Sequence, residues 1–295
     1  MTAIAAPELP VARSFAGKQA RSFARFARTQ PLGTFGLTLV VIIVFVAVFG
    51  EWLVRSDPDA LSNDILRSPN AKHWFGTDHI GRDYYSRVVS GARITVALAV
   101  IAVAIGFGIG TVLGMASAWA LGWFDLFFQR VIDALLALPG IILALALVAV
   151  FGRDTHVLIL ILTLLITPGV TRFARGTALS LLNEPYIEAA QALGAGTPRI
   201  LLRHLLPNLL PSVAVVVTTS VGGLLLVSAG LSFLGLGVQP PTAEWGKMLA
   251  EGRDYYLHAP YLAIFPGVGL SLAVLGVNLF GDAIRDVWDP RLRAL

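Results

Sequence analysis

The run ITVALAVIAVAIGFGIGTVLGMASAWA, residues 94–120, decides the kind of fold that this chain adopts. It holds no charged side chain. A helix needs about 20 apolar residues to cross the roughly 30 Å of hydrocarbon in a bilayer. Lipid offers no hydrogen-bond partner to the peptide groups, so a crossing segment must bond them internally as a helix. The run therefore predicts a membrane-spanning helix.

Further apolar runs on both sides extend this prediction to the whole chain. One of them, Val157–Val170, is short and carries Pro168 near its end, but the chain needs it to return to the correct side of the membrane. We therefore expect an all-α membrane protein with about six transmembrane helices. The other runs are Leu32–Leu53, Leu126–Phe151, Leu209–Phe233 and Tyr261–Ile284.

The composition supports a membrane protein and excludes several other classes. Charged residues make up 14% of the 295 positions, where about 25% is usual in soluble domains, and mean hydropathy is +0.75. The chain has no cysteine, which excludes disulfides and thiolate metal sites. It also lacks a glycine-rich P-loop for ATP phosphates and a compact histidine motif for zinc. We therefore expect no catalytic residue, metal or cofactor on this chain.

Charge placement predicts the orientation in the membrane. The segment before the first span carries five Lys and Arg residues against the single Glu8, and the connection between Val170 and Leu209 is also basic. Residues 55–93 instead mix acids and bases almost equally. Basic loops are retained in the cytoplasm, so we expect both termini inside and residues 55–93 and 234–260 outside. The net charge of +4 then belongs to these loops, and we expect no nucleic-acid partner.

The most informative polar segment is NEPYIEAAQALGAGTPRILLRHLLPN, residues 183–208. Its helix signals predict two short helices at the membrane surface, joined by a Gly-Ala-Gly turn. Asn183 can cap the first helix, Pro185 suits its first turn, and Gly194 suits a left-handed position after its end. Thr197 and Pro198 restart a helix, which we expect to end at Pro207 before the next span.

The first of these helices, about residues 185–193, is too short to be stable alone, because isolated helices below about 12–15 residues are marginal in water. It must therefore dock on something. Ala189 and Ala190 allow a close backbone approach, and Tyr186 and Leu193 offer flanking apolar contacts. Such a helix suits a groove on a soluble partner. A role as a cap on the helix bundle is the alternative.

The residues Glu188, Ala189 and Ala190, followed by Gly194 and then by Leu206-Pro207, resemble the EAA loop of permeases of binding-protein-dependent ABC importers. In that family the loop is a coupling helix that fits a cleft on the ATPase subunit. The isoleucine that usually precedes the Leu-Pro pair is replaced here by Leu205, which keeps the apolar character. The resemblance therefore implies contact with an ATPase. Its implied coupling set is Tyr186, Glu188, Ala189, Ala190, Leu193, Gly194, Leu206 and Pro207.

Three further stretches are similar to the oligopeptide, dipeptide and nickel permeases, and specifically to their second, shorter subunit. They are residues 73–95, 231–249 and 278–291. The resemblance implies the type I ABC importer permease fold in a bacterial inner membrane, with peptides or a similar small solute, a nickel chelate included, as cargo. It also implies four partners: a related second permease, a pair of cytoplasmic ATPases that hold ATP and Mg, an extracytoplasmic binding protein and the lipid membrane.

This resemblance suggests three parts of the chain. Residues 1–31 form a basic cytoplasmic arm, residues 32–91 form the first transmembrane helix and an external loop, and residues 92–295 form the permease core with its coupling loop at 183–207.

Two other functions remain open. A secondary transporter driven by an ion gradient needs ionisable groups at the midplane, which are scarce here. A membrane scaffold for a soluble partner does not need the small, slightly polar residues of the penultimate span.

Small residues recur in the second span at Gly106, Gly110 and Gly114. This spacing of four predicts close helix packing in lipid.

In the third span, Arg130 and Asp133 lie one turn apart, and we expect them to form an ion pair with each other. An ionisable pair at membrane depth is also a functional candidate.

The external loops carry residues of a different kind. We expect Asp78, Arg82 and Asp83 to form an ordered turn at the outer mouth. They and Trp245 are candidates for contact with the binding protein. For Trp245, a place in the aromatic belt of the membrane interface is the alternative.

Overall fold

The computed structural model of the chain describes residues 26–288, and the regular elements in that range are helices. Five of these helices are long and apolar enough to cross a membrane, and a bent pair brings the number to six when it is counted as one span. The expected all-α fold with about six spans is therefore confirmed. The predicted basic arm lies outside the described residues up to residue 25. The helices are α1 Pro31–Leu53, α2 Tyr84–Ala120, α3 Gly122–Ala137, α4 Gly140–Phe151, α5 Thr155–Leu182, α6 Pro185–Ala192, α7 Thr197–Phe233, α8 Trp245–Arg253 and α9 Tyr261–Trp288.

Helix α2 forms the centre of the packing. It lies along α5 and also contacts α1 and α7, while α9 packs on α1 and α7. It begins at Tyr84, ten residues before the predicted start at Ile94, because the Asp83 side chain accepts a hydrogen bond from the Ser86 N–H and caps the helix. The first turns of α2 therefore pack with residues 55–83 and 234–260, the segments that are predicted to be outside and are called the external layer below. Apolarity alone placed the start of α2 too late.

The third predicted span, Leu126–Phe151, is not one straight helix. It is broken into α3 and α4, which meet at an angle of 94°. Pro139 has no N–H to continue the helix, and the residue before a proline is pushed out of the helical region. Leu138 has extended backbone angles, with φ −84° and ψ 132°, as that rule requires. The sequence prediction of one continuous run is therefore wrong at this point.

The fourth span is longer than the apolar run that predicted it. Helix α5 covers Thr155–Leu182, and Pro168 lies inside it. The helix continues past the apolar run 157–170 through Arg172 and Arg175 before it ends. It ends at Leu182, so a linker of two residues, Asn183 and Glu184, joins it to α6. The coupling segment is thus held close to the end of a long, well-packed helix.

Candidate functional site

The predicted coupling helix is α6, and its end is built as the sequence predicts. Gly194 has a φ of +77°, the left-handed conformation in which glycine has no steric cost. The Gly194 N–H donates to the Gln191 carbonyl at 2.9 Å, and the Ala195 N–H donates to the Ala190 carbonyl at 3.0 Å. These two bonds form a Schellman motif, which satisfies carbonyls that the end of a helix leaves unpaired. The turn after α6 is therefore a specific structure that depends on Gly194.

Helix α6 exposes most of the residues that the resemblance assigns to coupling. Leu193 is 88% exposed and Tyr186 is 39% exposed, while Ile187 is fully buried. Glu188 and Ala189 are exposed as well, and Ala190 is half-buried. The helix packs on the segment 200–205. Sequence reasoning missed Ile187, which is the side chain that holds the helix to the rest of the chain.

The predicted end of the second short helix at Pro207 is wrong. The chain instead continues as α7 from Thr197 to Phe233, with a π-helical stretch at Ile200–Leu205. In that stretch the Leu206 N–H bonds the Leu201 carbonyl, five residues back. This wider winding lies directly before Pro207, which cannot donate to a carbonyl of the preceding turn. Leu206 is half-buried and Pro207 is exposed, both at the base of the span.

The external residues Asp78 and Arg82 are buried inside the external layer. The Arg82 Nε donates to Asp78 Oδ2 at 2.6 Å, and Asp78 Oδ1 accepts from the backbone N–H groups of Ile80 and Arg82. A second buried guanidinium, that of Arg87, lies 3.7 Å from the same carboxylate and donates to Asp59 at 2.8 Å. These charges are paired and bonded within the chain, as buried charges require.

Asp83 is also buried, and its carboxylate makes two kinds of contact. Its carboxylate caps α2 by accepting from Ser86, and it lies 2.8 Å from Nδ1 of His73. Burial raises the pKa of Asp83, but the hydrogen bonds from His73 and Ser86 outweigh that effect and hold the pKa below its usual value. The carboxylate is therefore charged at neutral pH.

Trp245 is buried at the start of α8. Its Nε1 donates to the Val88 carbonyl at 2.9 Å. The preceding Glu244 is fully buried and accepts from the backbone N–H groups of Gly246 and Lys247, which caps α8. The side chains of Asp78, Arg82, Asp83 and Trp245 therefore support the external layer from within, and contact with a binding protein remains a prediction for the surface above them.

The glycine stripe of α2 faces α5. A Cβ atom on Gly106 would lie 2.3 Å from Ile166, and one on Gly110 would lie 2.7 Å from Val170. A Cβ on Gly114 would lie 2.5 Å from the Thr171 carbonyl. The two helices therefore approach at a distance that only glycine allows at these positions.

The expected ion pair between Arg130 and Asp133 is wrong. Asp133 pairs with Arg172 of α5, and Arg130 is exposed. One turn farther along α5, Arg175 pairs with Asp125 of α3. These partners are far apart in sequence, and no local spacing could reveal them. Two of the basic residues after Val170, Arg172 and Arg175, thus hold α3.

The chain is similar to a known protein family and to curated proteins of known name. Residues 106–294 match the family model described as binding-protein-dependent transport system inner membrane component. The glutathione transport system permease protein GsiD of Escherichia coli O157:H7 is 41% identical over 273 residues, which are 92% of this chain and 90% of that protein. GsiD of Shigella sonnei (strain Ss046) shows the same identity and coverage.

Two solved structures share the fold. Both are inward-facing conformations of the MetNI methionine ABC transporter. One crystal form gives a TM-score of 0.58 at 22% identity and covers 70% of this chain and 98% of the matched chain. The other gives 0.55 at 23% identity and covers 70% and 95%. At this identity the likeness shows the helix arrangement.

Proposed function

Since this chain belongs to the family of binding-protein-dependent transport system inner membrane components and is a permease subunit of an ABC importer, we propose that it carries short peptides such as glutathione and that α6 receives the movement of a cytoplasmic ATPase. As a permease subunit it is not itself the catalyst of ATP hydrolysis. ATP and Mg belong to a pair of partner ATPases, a related permease forms the other half of the pathway, and a binding protein delivers the solute outside. Both termini lie in the cytoplasm of the bacterial inner membrane.

The observation that carries this proposal is the exposure of α6. An eight-residue helix gains little stability from its own hydrogen bonds. Here it is anchored through the buried Ile187, while the apolar side chains of Tyr186 and Leu193 face outward. Exposed apolar groups on a rigid helix are the type of surface that a groove on a partner covers. The basic residues of the neighbouring segments support a cytoplasmic position for this surface.

The support for the proposed solute comes from the relatives of the chain. The relatives that share 41% of residues over nine-tenths of the chain are named for glutathione transport. Glutathione is a tripeptide, and the resemblance of the sequence to oligopeptide and dipeptide permeases points to the same chemical class. The proposal therefore commits to short peptides, with glutathione as the first solute to test.

Site-specific photo-crosslinking tests the ATPase contact. A photoreactive amino acid at Leu193, which is 88% exposed, should crosslink the nucleotide-binding subunit of the purified complex. Leu257 is equally exposed at 87% but lies in a predicted external loop, so the same amino acid there should give no such product. Mass spectrometry identifies the crosslinked chain. An ATPase crosslink from Leu257 and none from Leu193 would refute the proposed coupling surface.

Uptake by proteoliposomes that contain the whole complex tests the transport mode. We expect glutathione uptake that requires both ATP and the binding protein. Uptake driven by a proton or sodium gradient without ATP would indicate a secondary transporter. No uptake of glutathione or dipeptides under either condition would indicate a scaffold.

A further inference from the structure

The broken span leaves α3 without a continuous helical connection to the rest of its crossing. The 94° bend at Leu138 and Pro139 interrupts the hydrogen-bond ladder between α3 and α4. A bent junction of this kind can change its angle more easily than an unbroken helix can, because the hydrogen-bond ladder that stiffens a helix is interrupted there. The position of α3 must therefore be set by what it contacts.

Few apolar contacts within the chain hold α3. Of its sixteen residues, only Asp125 and Ile132 are buried. Large apolar side chains of the same helix, Trp123, Leu126 and Phe127 among them, are exposed. Because apolar contact is non-directional and small here, it leaves the register of α3 on its neighbour poorly defined. The directional contacts of α3 must supply that register.

Two ion pairs between α3 and α5 supply the register of α3. The Arg175 guanidinium bonds both oxygens of Asp125, with its Nε donating to Oδ1 at 2.6 Å. Ser117 of α2 donates to the same carboxylate at 2.5 Å, and Gln129 donates to that serine at 2.9 Å. A bidentate arginine pair is among the most directional interactions in proteins.

The second pair makes the arrangement specific. Asp133, two turns after Asp125 on α3, pairs with Arg172, one turn before Arg175 on α5. Both acids lie on α3 and both bases lie on α5, in antiparallel order. A shift of α3 along α5 would therefore break both pairs. Two new pairs could not form in their place, since the spacing of the two acids on α3 differs from the spacing of the two bases on α5.

Helix α5 leads directly into the coupling helix. Arg175 lies seven residues before Leu182, which is about 10 Å along a helix axis. Asn183 ties the linker back to α5 by donating to the Leu179 carbonyl at 2.9 Å. A displacement of α6 therefore reaches Arg172 and Arg175 through one stiff element.

We propose that the pairs Asp125–Arg175 and Asp133–Arg172 fasten α3 to α5, so that α3 moves with the coupling helix when the ATPases close. The four side chains are positioning residues for coupling, and this role rests on the proposed function of α6. Neutralising Arg175 then lets α5 move without carrying α3. ATP hydrolysis continues, while less solute is transported for each ATP.

The first test compares Arg175→Gln with Arg130→Gln in the full complex. Both remove one arginine from this region, but Arg130 is an exposed residue of α3. We expect Arg175→Gln to lower glutathione uptake per ATP hydrolysed by at least about fivefold, the lower end of typical coupling effects. Arg130→Gln should keep the native ratio. A loss of uptake and hydrolysis in equal proportion, or no loss at all, would overturn the proposal.

The second test does not depend on whether Arg175→Gln assembles. The chain has no native cysteine, so within this chain a short bis-maleimide can join only the introduced pair Asp133→Cys and Arg172→Cys, and the same treatment of the wild-type complex controls for thiols of the other subunits. We expect reduced uptake per ATP before crosslinking and recovery after it. Uptake that stays low or stops after crosslinking would show that α3 and α5 must separate, which overturns the proposal. If the wild-type complex shows no ATP-driven uptake, the proposed function fails, and the fastening role fails with it.

Discussion

Replacing Gly194 by valine should uncouple transport from ATP hydrolysis. At a φ of +77° the backbone occupies the left-handed region, where a side chain with a Cβ atom clashes with the adjacent peptide group. A Cβ atom on this glycine would meet no other atom of the chain within 4 Å, so the first effect expected within the chain is backbone strain. The substitution therefore tests the turn after α6 and leaves the packing of the bundle unchanged.

The expected size follows from that strain. A non-glycine residue in the left-handed conformation costs about 1–2 kcal/mol, and a β-branched residue is among the least tolerated. A cost of that size lowers the ratio of ordered to disordered turn by about 5–30-fold. Because the two hydrogen bonds of the Schellman motif depend on this turn, the end of α6 should fray. We expect uptake per ATP to fall, with that factor as the upper limit of the loss.

Two variants serve as controls. Gly196 lies two residues farther on with φ −69° and ψ 159°, which valine adopts readily, so Gly196→Val should behave like the native chain. Gly194→Asn should retain most coupling, because asparagine tolerates the left-handed region better than other residues with a side chain. The assay is glutathione uptake and phosphate release from the same proteoliposomes at matched protein abundance.

The outcomes separate the explanations. Normal uptake per ATP in Gly194→Val would refute the coupling role of the turn. Equal losses in Gly194→Val and Gly194→Asn would show that any side chain at this position interferes, and would refute backbone strain as the cause. A loss in Gly196→Val as large as that in Gly194→Val would have the same consequence.

Three further predictions concern stability in detergent, measured by thermal unfolding. Gly110→Ala should destabilise the chain by about 1–3 kcal/mol, because its methyl group would lie 2.7 Å from an α5 side chain. Gly108→Ala, which has open space around it, should not destabilise the chain. Equal effects of the two substitutions would contradict the packing argument. Glu244→Gln should cost about 1 kcal/mol, since it weakens the cap of α8, and an unchanged melting temperature would count against that cap. Because the pKa of Asp83 is lowered in the folded chain, the stability that it contributes is present above its unfolded pKa of about 3.9 and is lost as pH falls through the lower folded value. Asp83→Asn should remove this acid-dependent component, and an unaltered pH profile would contradict it.

Local sequence signals predicted the features that depend on neighbouring residues. The apolar runs predicted the spans, since a membrane requires long uncharged helices. Pro185 and Gly194 predicted the bounds of α6, because each acts on its own backbone. The break at Pro139 was also readable from a single proline, but the apolar run around it suggested one continuous span.

The external layer shows where such signals end. The sequence predicted an ordered turn for Asp78, Arg82 and Asp83 but did not reveal their burial, because charged residues in a polar loop are usually exposed. Their partners include Arg87 and, for Arg82, Glu251, which lies more than 150 positions away along the chain. Nothing in the spacing of the acids and bases shows which of them meet.

The sequence alone determined that this chain is an all-α membrane protein with about six apolar runs, and it determined where α6 ends, because hydropathy and backbone preference act over consecutive residues. Only the tertiary structure decided that Asp133 pairs with Arg172 and not with Arg130, and that Ile187 anchors α6. These outcomes depend on which helices lie side by side. That arrangement results from the packing of all the helices together, and no single segment encodes it.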